Sequence, residues 1–362
     1  MAGGRPIQLP VLKLMSITLL LFIGAAGAQV ELTIPSRFDQ GLPFQEGMAA
    51  VRIGLEWGYI AKNGQFVVPP KFDGAYSFSE GLAAVIVAGR MGFIDTSGGF
   101  VIEPVLPLAP DQSGFPSPHG IDPLPWGFGF SSGLVPVQLE GRFGYLDRQG
   151  QMAIPARYQD ALKFSEGLAA VKVDSRWGYI DTRGEMIIPP QFEGTFGFQE
   201  GLATVSQGGR AGMIDPSGKL MVPYKFDWIN PAHEGLAEAQ LGEHNGFIDL
   251  LGNWAFPPLP PRGGLGEFSE GLAIFQLNWN HGYLNRKGRV VIAPQYSLAG
   301  DFHEGLARVR AGAEADYRWG FIYPDGSWAI EPIFESALDF SEGAAAVQLG
   351  DKVGYLMKGD LP

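Results

Sequence analysis

Eight glutamates hold the same place in a recurring F-S-E-G stretch: Glu46, Glu80, Glu166, Glu200, Glu234, Glu270, Glu304 and Glu342, with Ser132 where a ninth would stand. Carboxylates repeated in this way suggest two kinds of chemistry. As a ring they would bind cations such as calcium, which takes several oxygen ligands. Held in turns, each would accept backbone N–H bonds from the turn it opens and so satisfy donors removed from water by folding. Repetition favours the second, because catalysis needs one place that differs from the rest, although spacing alone leaves cation binding open.

Other reactive residues are sparse. His119, His233, His244, His281 and His303 are scattered, with no HExxH and no paired-histidine helix to make a zinc site. The chain has no cysteine, so disulfides, thiolate metal sites and cysteine nucleophiles are excluded. GxSxG is absent, nothing marks a base for Ser165 or Ser269, and GLGEFSEG near Gly264 lacks the lysine and helix of a phosphate loop. Neither a catalytic residue nor a cofactor or metal is expected. Trp177, Tyr179 and their counterparts have the form of sugar-stacking aromatics, but their periodicity reads as core.

The elements that would position these residues follow from the repeat. Aligned on the glycine of E-G-L-A, nine units fall at Gly47, Gly81, Gly133, Gly167, Gly201, Gly235, Gly271, Gly305 and Gly343, most often 34 residues apart. A fixed period of this size marks modules too small to bury a core alone. In EGLAAVKVDSRWGYIDTRGEMIIP, from Glu166, LAAVKV and WGYID alternate like half-buried strands, and EMIIP is a third short run. The turn between the second and third has the form D-x-x-G, as in Asp95 to Gly98 and Asp181 to Gly184. Each unit is therefore predicted to be a three-stranded antiparallel meander in an all-β fold.

This pattern resembles the WG-repeat family of bacterial proteins, through Trp57-Gly58, Trp177-Gly178 and Trp319-Gly320 together with E-G-L-A, D-x-x-G and I-x-P. The resemblance runs from about Glu31 to the C-terminus. Several units depart from it, with Met91, Phe143, Ala211, Asn245, His281 and Val353 in the tryptophan place. What it implies is a repeat fold with no single activity attached.

Both chain ends bear on closure. ELTIPSRF near the N-terminus matches a third strand with no first or second before it, and the C-terminal EGAAAVQLGDKVGYLM supplies a first and second with no third after it. Strand exchange would close the array into a propeller-like ring. The alternative is an open β-superhelix whose unit begins at the third strand, since nine blades exceed the usual range of about 4 to 8.

Residues 1–28 read as a signal peptide: Arg5 and Lys13 precede LMSITLLLFIGAAGA, with cleavage expected before Gln29. That makes residues 29–362 one repeat domain, exported to the periplasm or outside the cell, with no membrane span after cleavage. The formal charge of −12 and the lack of any basic run argue against nucleic acid.

Symmetry is broken by irregular insertions near 105–130, 257–267 and 311–318. The first carries Trp126, Phe128 and Phe130, the second Arg262, the third Tyr317 and Arg318, and these are the candidate binding residues. The expected function is a non-enzymatic scaffold that binds a protein or an envelope polymer through these loops. Two alternatives stand beside it: a glycan-processing hydrolase gathering carboxylates such as Asp122, Glu314 or Asp316, and a purely structural envelope component.

Overall fold

The computed structural model describes residues 30–107, 129–258, 264–313 and 316–361. The expected leader lies outside them. The fourth unit shows why the sequence folds as it does. Leu168–Val173 pairs with Arg176–Asp181 in an unbroken antiparallel register from Leu168↔Asp181 to Val173↔Arg176. The two-residue turn between them, Asp174-Ser175, has positive φ at both positions, the type I′ geometry whose twist matches the strands. The third strand, Met186–Phe192, pairs on the far side with shifted register. It holds Pro189 and Pro190, which are tolerated because this strand is a sheet edge and needs no further donors.

The glycine of the Trp-Gly pair has a steric cause. A Cβ on Gly178 would lie 2.5 Å from the Ile188 carbonyl oxygen and 2.7 Å from the Pro190 nitrogen. The bulged third strand crosses directly over it, and the same contact recurs at Gly58, Gly144, Gly212, Gly282, Gly320 and Gly354.

One correction concerns strand number. After one linking residue the third strand continues as a two-residue strand in the next sheet, as Met186–Phe192 leads through Glu193 to Gly194–Thr195, which pairs with Ala203–Gln207. Most sheets thus have four strands rather than three. Short strands carry no readable period, which is why the sequence pattern misses them.

Nine such sheets form a ring, a nine-bladed β-propeller. We number the blades by their first strands, Met48–Ile53, Leu82–Val87, Leu134–Leu139, Leu168–Val173, Ala203–Gln207, Leu236–Leu241, Leu272–Leu277, Ala307–Ala311 and Ala344–Leu349. Both faces of each blade are buried. In blade 4, Ala169, Val171 and Ile180 pack with Tyr145, Ile154 and Phe164 on one side. On the other, Ala170, Trp177 and Tyr179 pack with Phe198, Val205 and Ile214 of blade 5. Alanine pairs such as Ala49-Ala50, Ala83-Ala84 and Ala345-Ala346 are fully buried at these junctions and keep each wedge thin, so that nine fit into the circle.

Closure is by strand exchange. Ile34–Phe38 pairs with Lys352–Met357 in blade 9, with Ile34 opposite Tyr355 and Phe38 opposite Val353. Phe44 of blade 1 meets Tyr355 with ring centroids 5.0 Å apart, the same edge-on contact as Tyr59–Phe78 at the next junction. The open superhelix is excluded.

A Gly178→Ala variant is expected to lose about 2 kcal/mol or more, since its methyl meets backbone that cannot step aside. Thermal melting beside a Gly197→Ala control, where the added carbon makes ordinary contact at 3.5 Å, measures it. Equal melting temperatures would refute the steric account.

Candidate functional site

The repeated glutamates are spent on holding blade to blade. Glu46 accepts the Gly81 N–H at 2.8 Å, Glu166 that of Gly201 at 3.0 Å, and Glu270 that of Gly305 at 2.8 Å. The acceptor role is as expected but the donor is not: it belongs to the turn of the following blade, not to the glutamate's own. Each F-S-E-G stretch is a two-residue hairpin with both central residues at positive φ, Glu46 at 52° and Gly47 at 79° in blade 1. An ordinary residue there is strained by about 1–2 kcal/mol, which the charge-assisted bond to the next blade offsets. The serine acts alike: Ser79 donates to the Phe130 carbonyl at 2.7 Å and Ser131 to that of Phe164 at 2.8 Å. These bonds form a belt at one end of the blades. It crosses the chain-end junction unchanged, with Ser341 donating to Phe44 at 2.7 Å and Glu342 accepting from Gly47 at 2.9 Å.

The D-x-x-G turns are equally self-contained. Asp95 accepts from the Ser97 hydroxyl and from the Ser97 and Gly99 N–H groups. These bonds, the Ser97 hydroxyl first, hold its carboxyl below the usual range. Among the described residues no group of three or more His, Asp or Glu is placed to hold a metal ion.

Against this symmetric frame, the departures identify the candidate site. At the belt end, the residue before the F-S-E-G phenylalanine position is Lys163 in blade 4, Gly197 in blade 5 and Pro231 in blade 6, then Glu267, Asp301 and Asp339 in blades 7 to 9. A groove of about 200 Å³ runs over blades 4 to 6, lined by Lys163, Ser165, Phe196, Gln199 and Pro231. Phe196 is 46% exposed in it. Gln199 touches His233 at 3.0 Å, and His233 meets Glu267 at 2.7 Å, so the groove leads into the acidic sector. Asp339 there is held by Arg308 at 2.9 Å. Burial pushes the Asp301 carboxyl up, and Asp339 adds to the shift.

Glu238 of blade 6 is a second departure, standing where Ala50, Ala84 and Ala170 stand in other blades. It is only 7% exposed. The Asn230 and Asn245 amides donate to its two oxygens at 2.9 and 3.2 Å, yet burial still raises its pKa.

The opposite end carries the excursions. Pro107, where the first departs, lies opposite Arg90 beside the hairpin turn of blade 2. Gly264, where the second returns, accepts from Gln276 beside the turn of blade 7. The third is itself the hairpin of blade 8, closed by Ala311 opposite Arg318. The first leaves at the end of the ring away from the belt and returns at Gly129 against Ser79 of the belt, while the second returns and the third turns at the end away from it. The turn of blade 7 is Asn278-Trp279, with φ of 51° and 68°. Trp279 occupies the place of Gly89 in blade 2 and Gly141 in blade 3, and it is 86% exposed.

The predicted binding residues separate. Trp126, Phe128 and Arg262 lie outside the described residues, as do Asp122 and Glu314. Phe130 is corrected: it is 1% exposed and packs edge-on against Phe93 at 5.1 Å. It is the belt phenylalanine of blade 3, and the proline-rich sequence before it disguised that role. Tyr317 lies under the Arg310 guanidinium at 4.9 Å. Arg318 pairs with Asp316 at 3.0 Å and approaches Glu335 at 3.9 Å, so Asp316 is engaged within its own loop. Sequence reasoning missed Trp279, Glu238 and Phe196. The first two were visible as a bulky residue at a glycine position of the turn and an acid at an alanine position of the strand.

Because its folded pKa is raised, Glu238 contributes stability that is fully present below its unfolded pKa and lost as pH rises through the raised value. Melts between pH 4 and 8 should show Glu238→Gln gaining on the wild type toward pH 8, with the two converging toward pH 4. A constant gap at every pH would contradict the assignment.

Among the described residues no helix is long and apolar enough to cross a membrane. No curated protein matches the sequence. Among solved structures, the extracellular domain of BT4673 from B. thetaiotaomicron is similar at 11% identity and a TM-score of 0.34, covering 89% of this chain and 53% of that one. The chain thus spans about half of that domain. Kluyveromyces lactis Hsv2p is similar at 6% identity and a TM-score of 0.39, covering 78% and 97%. The WD40 domain of SCAP from fission yeast is similar at 10% and 0.35, covering 90% and 98%. The family described as WG containing repeat matches residues 31–54, 57–90, 143–177, 177–210, 212–243, 282–312 and 319–352. With the Trp-Gly glycine explained by the strand crossing above it, and the match spanning most of the chain, the protein belongs to the WG-repeat family.

Proposed function

We propose that the protein is a non-enzymatic, exported scaffold that binds a protein or envelope polymer at the end of the ring bearing the excursions. One observation supports this reading above others: three insertions, from three separate parts of the chain, each have a described boundary at the same end of an otherwise regular array, where the first departs, the second returns and the third turns. Ligand recognition in repeat folds is carried by such excursions on a rigid frame. The belt glutamates and turn aspartates are occupied by backbone donors, which leaves them no part in chemistry. The expected signal peptide supports export.

A glycan-processing hydrolase has less support. Of its three named carboxylates, the one described, Asp316, is held by Arg318.

The test replaces residues 107–129 by the five residues 73–77 that make the same connection one blade earlier. Capture of a partner from envelope extract by the chain from Gln29, lost in the replaced form while its melting temperature holds, is the expected result. Equal capture by both forms would remove the first excursion from the site.

A further inference from the structure

Among the described residues, Trp279 is the one bulky side chain at the second position of a two-residue turn with positive φ at both residues. Blades 2, 3 and 5 place Gly89, Gly141 and Gly209 there, and blade 4 the small Ser175. Two costs coincide at this position. Backbone in the left-handed region is disfavoured for a large side chain, and an indole is left 86% exposed to water. Folding explains neither, because glycine would remove both at once. Strain retained at a surface position points to a use for the side chain.

The surroundings say what that use is. Asn278 and Asn280 flank the indole, both exposed, and among the described residues neither amide has a hydrogen-bond partner. Each offers donors and an acceptor. No charged residue lies within the turn from Leu277 to Asn280. A flat apolar face at a tip, bordered by free neutral amides, is complementary to a pyranose ring. The axial C–H groups of the sugar lie on the indole while its hydroxyls bond the amides. A protein hot spot would instead sit centrally, ringed by contacts that exclude water, whereas Leu277, Asn278 and Asn280 beside this indole are all exposed.

We infer that the Asn278–Asn280 turn is a saccharide-binding platform for a neutral sugar ring of an envelope polymer, stacked on Trp279. This rests on the scaffold reading and narrows its ligand to a polysaccharide. It lies at the end of the ring where the first excursion departs, the second returns and the third turns.

The test uses the chain from Gln29 with soluble hexamers of β-1,4-glucose, α-1,4-glucose and β-1,4-N-acetylglucosamine, titrated calorimetrically against wild type, Trp279→Gly and Trp279→Phe. At least one hexamer is expected to bind the wild type, about tenfold or more weaker to the Gly variant, with partial retention by Phe. The Gly variant should melt at the same temperature or about 1–3 °C higher, because strain is relieved. That opposition is what a structural tryptophan would not produce. A fall in melting temperature would assign Trp279 to the fold and overturn the inference, as would equal binding by all forms or binding of no hexamer. If no hexamer binds but capture from envelope extract still depends on residues 107–129, the scaffold reading stands alone. If that capture fails too, both are wrong.

Discussion

The fold depends on how one blade is fastened to the next. A 34-residue sheet buries both faces only when it has neighbours, and the belt of serine and glutamate bonds sets those neighbours at one distance and angle. Each glutamate accepts strain in its own backbone so that its carboxylate can reach a glycine N–H across the junction. Beneath the belt most junctions stack an edge-on aromatic pair, as in Tyr283 with Phe302 and Phe321 with Phe340. Tyrosine adds a bond from its hydroxyl to the carbonyl of the next blade, as Tyr59 does to Tyr76 and Tyr283 to Gly300. Polar and apolar links fall on the same contact, which gives the array a single preferred curvature.

The two chain ends use the same devices. The Leu42 and Phe44 carbonyls accept from Tyr355 and Ser341 of blade 9, and the Gly47 N–H donates to Glu342, as their counterparts do elsewhere. Closure is therefore one more junction of a common kind, made by non-covalent contact because the chain has no cysteine. Ser132 is the exception, too short to reproduce the glutamate bond to blade 4.

Much of this was legible in the sequence, because a repeat states its geometry several times over. The period gave the nine units, alternation gave the main strands, and the mismatched ends offered strand exchange beside an open superhelix, a choice that only the pairing of Ile34–Phe38 with Lys352–Met357 decides. What stayed hidden required distances. Gly178 could be recognised as fixed but not explained until Ile188 and Pro190 were seen above it. Glu46 could be read as an acceptor, but which blade supplied its donor is a matter of three-dimensional neighbours. The site was less legible still. Phe130 looked like part of a loop and is core, whereas Trp279 sits in a regular strand-turn-strand, where only its alignment with the glycines of other turns marks it and its dihedral angle and exposure show what it costs. Function in such a molecule is written as small departures from the repeat, and a search for conventional motifs passes over them.

The most direct measurement of the central claim is amide hydrogen exchange across the last junction. In a ring fastened equally at every blade, the amides of Ile34–Phe38 and Lys352–Met357 exchange as slowly as those of Arg176–Asp181 in blade 4. Removing residues 30–38 then exposes Lys352–Met357 to fast exchange. Rapid exchange at both ends of the intact chain, with blade 4 protected, would show an open array and contradict the account.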